Sequence, residues 1–187
     1  PLTFANTYPT NNIDSLKTWL KTHPKPTEER LKNLIRLERT YYFMYPENMG
    51  DHLAEIKSLS GGFKVNLGNA IYHYLEASAH LRDEKRISAY EGFQEANNTF
   101  NQLKDTSGII HAAVGLAIVN YGIGGDVLGD NLSAEEYLKI AETLHKKNKN
   151  VHDAFVISLA ICRLKRVNND FKGILTSLNL YYALSTE

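Results

Sequence analysis

Apolar residues recur along almost the whole chain at intervals of three and four, the spacing of one helical face, and nowhere alternate with polar residues as a half-buried strand requires. The pattern predicts an all-α protein. Prolines stand only at positions 1, 9, 24, 26 and 46, so nothing after Pro46 forbids long helices. After a polar leader, Ile13, Leu16, Trp19 and Leu20 predict one short amphipathic helix, stopped by His23-Pro24-Lys25-Pro26. Thr27 is placed to cap the next, with Glu28 and Glu29 in its first turn and a buried stripe of Leu31, Leu34, Ile35, Tyr41 and Tyr42; Pro46 ends it. Leu53, Ile56 and Leu59 predict a further helix, broken at Ser60-Gly61-Gly62. The following stripe is Leu67, Ala70, Ile71, Tyr74, Ser78 and Leu81. From Ile87 it continues as Ala89, Phe93, Ala96, Phe100 and Leu103, closed by residues 105–108. The next helix runs to about Ile123, with a loop from Gly124 to Leu132. Ser133-Ala134-Glu135-Glu136 then reads as a capping box, and Lys146, Lys147 and Lys149 suit the negative end of the helix it opens. A last pair spans about 151–166 and 170–184, parted by Asn168-Asn169.

The helices repeat. The first members of three successive pairs align as Gly68-Asn69-Ala70-Ile71, Gly115-Leu116-Ala117-Ile118 and Ser158-Leu159-Ala160-Ile161, spaced by 47 and 43 residues. The second members align as Ala89-x3-Phe93-x2-Ala96 and Ala134-x3-Leu138-x2-Ala141, spaced by 45, with Gly173-x3-Ser177-x2-Leu180 as a weaker copy. Two helices approach to about 8 Å only where one offers a nearly bare backbone to the other's bulk. Small residues at fixed intervals are therefore expected to face neighbouring helices, and the leftover apolar face of each pair to be covered by the next.

With Asn66-Leu67-Gly68-Asn69-Ala70-Ile71-Tyr72 and Ala89/Phe93/Ala96 in one unit, the chain resembles the tetratricopeptide repeat family over about Leu31 to Leu184, most strongly from 61 to 141. The resemblance implies a right-handed superhelical solenoid of antiparallel helix pairs, at about 27–60, 61–105, 106–150 and 151–187, behind a leader of residues 1–26 with one short helix. It departs in period: the repeats here are 43–47 residues, against about 34 in the family, which implies lengthened helices and an altered groove. A narrower resemblance lies in Asp14-Ser15-Leu16-Lys17-x-Trp19-Leu20, Arg30-Leu31-x-x-Leu34 and the Tyr-rich helix ended by Pro46-Glu47-Asn48. This segment looks like the extracytoplasmic sensor part of tetratricopeptide-containing histidine kinases of Bacteroidetes-type bacteria. That likeness implies a periplasmic module of a membrane-anchored two-component signalling protein. The opening at Pro1 and the close at Glu187 fit an excised segment of a longer chain.

Composition adds little. The 21 Lys and Arg balance 21 Asp and Glu, which removes the electrostatic ground for nucleic acid as a partner, and no apolar run reaches the roughly 18 residues of a membrane span. One cysteine, Cys162, excludes an internal disulfide and reads as a small core residue. His-Glu-x-x-His, Gly-x-Ser-x-Gly and a Cys with a motif-placed His are all missing. The glycine-rich stretch from Tyr121 to Gly129 lacks the Lys-Ser/Thr of a phosphate loop, and Asp126, Asp130 and Asn131 fit no EF-hand spacing. The sequons at Asn97 and Asn131 are of the kind expected by chance. His73, Glu76 and His80 share a helical face at i, i+3 and i+7, the one constellation on which a metal-dependent enzyme could be built.

The expected function is thus non-catalytic: a sensor module that needs no cofactor or metal and binds a peptide, protein segment or small molecule. It has a homodimer as a further possible state and makes no membrane contact of its own. By the family resemblance the first helices line the concave face, which places Asn69, Tyr72, His73, Leu116, Val119, Asn120 and Arg163 there as ligand contacts. The eleven tyrosines divide between core and such a wall. The alternative is a cytoplasmic scaffold or regulator joined to a DNA-binding or other output domain.

Overall fold

A computed structural model describes residues 13–44, 48–63, 66–123 and 133–167, together with 172, 173, 175, 176 and 179. The described residues form α-helices joined by short turns and include no strand. Those with described bounds are α1 (Ile13–Thr22), α2 (Glu28–Met44), α3 (Leu53–Gly62), α4 (Asn66–Arg82), α5 (Arg86–Leu103), α6 (Thr106–Ile123), α7 (Ala134–Asn148) and α8 (Val151–Val167). The chain divides into two compact units, residues 1–108 and 109–187. The leader to residue 12, Tyr45 and Pro46, the 124–132 loop, the 168–169 break, the Ser177/Leu180 copy, and Tyr181 and Tyr182 lie outside the described residues.

The starts of α2, α6 and α7 follow side-chain chemistry. Thr27 Oγ1 accepts from Arg30 N at 3.1 Å, capping α2. Ser133 and Glu136 form the reciprocal capping box of α7, with Ser133 Oγ accepting from Glu136 N and Glu136 from Ser133 N. Asp105 serves both helices: its N–H donates to Phe100 O at 3.0 Å and closes α5, as expected, while its Oδ1 accepts from Gly108 N at 3.0 Å, so 106–108 are already the first turn of α6 and not part of the closing turn. Likewise Ser60, Gly61 and Gly62 do not break α3 but complete it, because the last turn packs on the start of α4, where Ser60 is fully buried. Three helices end on non-glycine residues in the left-handed conformation, Glu84 (φ 60), Lys104 (φ 55) and Lys149 (φ 49).

In the first unit, neighbouring helices meet in reversed order. His73 and Ala77 of α4 face Glu95 and Gly92 of α5, and Lys57 and Ser60 of α3 face Tyr72 and Gly68 of α4. Small residues make these approaches. A β-carbon on Gly92 would stand 2.9 Å from Ala77 Cβ and 3.4 Å from the His73 carbonyl oxygen, so only glycine fits without displacing α4. Gly68, Ala70, Ala89 and Ala96 are buried, the three alanines without exposed surface, and Phe93, 1% exposed, packs on Tyr74 of α4 with ring centroids 5.7 Å apart. α2 is enclosed along most of its length, with Leu31, Leu34, Ile35 and Leu37 buried along with Glu38, Arg39 and Thr40. Glu38 closes the turn that enters α3: its carboxylate, fully buried, accepts from Gly50 N (2.7 Å), His52 N (3.0 Å) and His52 Nδ1 (2.7 Å). Ile87 and Leu103, at the two ends of α5, are exposed at 61% and 38% rather than buried, being beyond the stretch that faces α4.

In the second unit, Ala112, Ala113, Gly115, Leu116, Ala117 and Val119 of α6 are buried, as are Ala134, Leu138 and Ala141 of α7 and Ala154, Ile157, Ser158 and Ala160 of α8.

Candidate functional site

α4 places Asn69, Tyr72, His73 and Glu76 within two turns, and the neighbouring helices add one charged residue each. Tyr72 has 6% of its surface exposed, and its hydroxyl donates to Glu76 one turn on. Lys57, from α3, brings its ammonium to 3.4 Å from that hydroxyl and 4.7 Å from the ring centroid. The phenol is pushed up to about 12, first by burial, then by the bond to Glu76 and its negative charge. His73 stands edge-on to Tyr72, ring centroids 5.2 Å apart, and its Nδ1 lies 3.0 Å from Glu95 Oε2 of α5. Asn69 is half-buried beside them. The strip therefore offers an aromatic body, two carboxylates, an ammonium and an imidazole, each already in a hydrogen bond or ion pair. Such a surface can exchange internal contacts for those of a ligand.

The remaining expected contacts lie in the second unit. Leu116 and Val119 have 1% and 0% of their surface exposed and belong to its core; Asn120 is buried at 3%; Arg163 is exposed. The three positions expected on α4 are thus brought together, while in the second unit only Arg163 presents surface.

His73, Glu76 and His80 do not act together. His73 turns to Glu95 and Glu76 to Tyr72, and among the described residues no three His, Cys, Asp or Glu side chains are grouped to hold a metal ion. Burial pushes the Cys162 thiol up, partly offset by Lys165, which favours the less nucleophilic protonated form.

One polar group in the second unit has no counterpart in the sequence reading. His111 Nε2 and Asp153 Oδ1 meet at 3.2 Å with neither side chain exposed, and Asn148 Nδ2 donates to the other Asp153 oxygen at 3.0 Å. The contact links α6 to α8 and to the end of α7. Enclosed as it is, it pins helices and meets no ligand. The signal available was a histidine in the most apolar of the described helices, where a polar group needs a partner.

No described helix is long and apolar enough to cross a membrane. No protein-family model matches the chain, and neither a curated protein nor a solved structure shows significant similarity to it.

Proposed function

We propose that the chain is a non-catalytic binding module, built from antiparallel helix pairs stacked as a tetratricopeptide-like solenoid, that serves as the sensor part of a signalling protein of the histidine-kinase type. The observation that carries this reading is the burial of the repeated small residues, Gly68/Ala70, Gly115/Ala117 and Ser158/Ala160 in first helices and Ala89/Ala96 and Ala134/Ala141 in second helices. Equivalent positions are spent on helix contact in unit after unit, the economy of a repeat scaffold, which leaves function to surface side chains. The α4 strip is the binding surface: the half-buried Asn69, His73 and Glu76 supply the contacts, and the buried Tyr72 holds Glu76 in place through its hydroxyl. Ligand occupancy there changes how α3, α4 and α5 pack, and that change is the signal.

A thermal-shift screen of peptides and small metabolites against the wild-type chain and Tyr72→Ala and His73→Ala variants tests it. Ligands that raise the melting temperature of the wild type and lose their effect in both variants support the strip. A ligand that stabilises all three proteins equally places binding elsewhere. The full reading frame decides the parent: a signal peptide upstream and a spanning helix downstream support the sensor, and an attached cytoplasmic output domain supports the scaffold.

A further inference from the structure

The cation of the α4 strip comes from a neighbouring helix. Lys57 of α3 sets its ammonium 4.7 Å from the centroid of the Tyr72 ring, where the aromatic face attracts positive charge. At its polar end the contact is loose: Lys57 Nζ lies 3.4 Å from the Tyr72 hydroxyl oxygen, longer than the usual hydrogen bond. The hydroxyl proton is committed to Glu76, and since a carboxylate has about four lone-pair positions, this bond leaves most of the acceptor capacity of the half-buried Glu76 open. The two sides of the contact differ in firmness. Tyr72 and Glu76 are bonded to each other one turn apart on α4, whereas Lys57 is an exposed residue on a flexible four-carbon stem. The ammonium can leave while the ring and the carboxylate keep their places.

We propose that the place held by the Lys57 ammonium is a site for the primary alkylammonium group of a ligand, with Lys57 as a built-in competitor that fills it until the ligand displaces it. The inference rests on the reading of the α4 strip as the binding surface and names the class of ligand. An untethered ammonium uses the same ring face, and its three N–H donors bond the phenol oxygen and the open lone pairs of Glu76 together. It takes the volume that Lys57 gives up, so no wider opening is required. Other classes fit worse. The charge of Glu76 repels an anion, and a metal ion finds no group of three ligating side chains among the described residues. A quaternary ammonium has no N–H for the carboxylate and meets one ring where an aromatic cage would be needed.

Amide NMR spectra of the isotope-labelled intact chain test this. The probes are n-butylammonium, Nα-acetyl-L-lysine methylamide as the same group borne on a peptide backbone, and n-butanol as the uncharged control. The expected result is a saturable shift of the signals of residues 57 and 69–77 with at least one ammonium probe and none with butanol, the tighter probe telling a free amine from a lysine side chain. Lys57→Ala binds that probe about tenfold more tightly, because the site is no longer filled for most of the time. Lys85→Ala, which removes the same charge from another exposed position of the first unit, leaves the affinity unchanged. Glu76→Gln weakens binding about tenfold, the scale of a lost charged hydrogen bond. An affinity no greater in Lys57→Ala than in the wild type, a response that butanol reproduces, or binding indifferent to Glu76→Gln overturns the proposal. Silence toward both ammonium probes in every variant overturns the ligand class alone, and the strip as a binding surface is then decided by the thermal-shift screen.

Discussion

A buried carboxylate is stable only while its acceptors are filled, which makes Glu38 the most consequential polar residue of the first unit. Its three donors come from Gly50 and His52, and with the side chain removed they remain inside a closed turn without an acceptor. Glu38→Ala is expected to lower stability by about 3 kcal/mol, read as a shift in the urea midpoint, with the turn before α3 losing hydrogen-exchange protection first. Tyr72 gives the opposite kind of test, at alkaline pH. Its phenol, pushed up to about 12, keeps its proton in the folded chain over the range where an unfolded tyrosine, titrating near 10, loses it. The resulting stabilisation is fully present below pH 10 and disappears as pH rises through about 12. Tyr72→Phe should therefore remove part of the fall in melting temperature between those values, on the order of 1 kcal/mol once solvent screening near the surface is allowed for. A fall identical in both proteins would assign it to the other tyrosines.

Among the elements, the capped starts of α2 and α7 were legible, as were the ends of α1 before His23-Pro24 and of α6 at Ile123, whereas the ends of α3 and α5 were not. Thr27, Ser133 and Glu136 announce α2 and α7 because capping is local chemistry, readable four residues at a time. Ser60-Gly61-Gly62 was expected to break α3 but forms its last turn, and α5, expected to close at residues 105–108, stops on Lys104, whereas Lys149 stands just past α7 as its place in the sequence implied. A left-handed lysine costs roughly 1 kcal/mol that glycine does not. Lys104→Gly is accordingly expected to stabilise the chain by up to about that much in thermal or urea unfolding, and a loss of stability would show that the lysine side chain has a role of its own. The buried polar residues were hidden for a related reason. Periodicity assigns polar positions to the surface, and the partners that allow Glu38 and His111 to be inside, His52 and Asp153, stand 14 and 42 positions away in sequence.

For the molecule as a whole, recurrence carried more information than any single motif. The small residues at forty-odd intervals are buried as their spacing implied, since a close approach of two helices leaves no choice of side chain. The proposed binding surface was legible only in part. Asn69, Tyr72 and His73 share a face because 3.6-residue geometry places them there, yet Lys57 and Glu95, which complete the strip, are set by packing between helices. Leu116 and Val119 went to the core, being apolar residues in an almost wholly apolar helix. The claim underneath is that helices nestle at these small positions, and a pair of substitutions on α5 tests it directly. Ala96 has no exposed surface and Ile87 is exposed at 61%. Urea unfolding should show Ala96→Arg destabilised by several kcal/mol and Ile87→Arg within about 0.5 kcal/mol of the wild type. Equal, small effects from both would contradict the account.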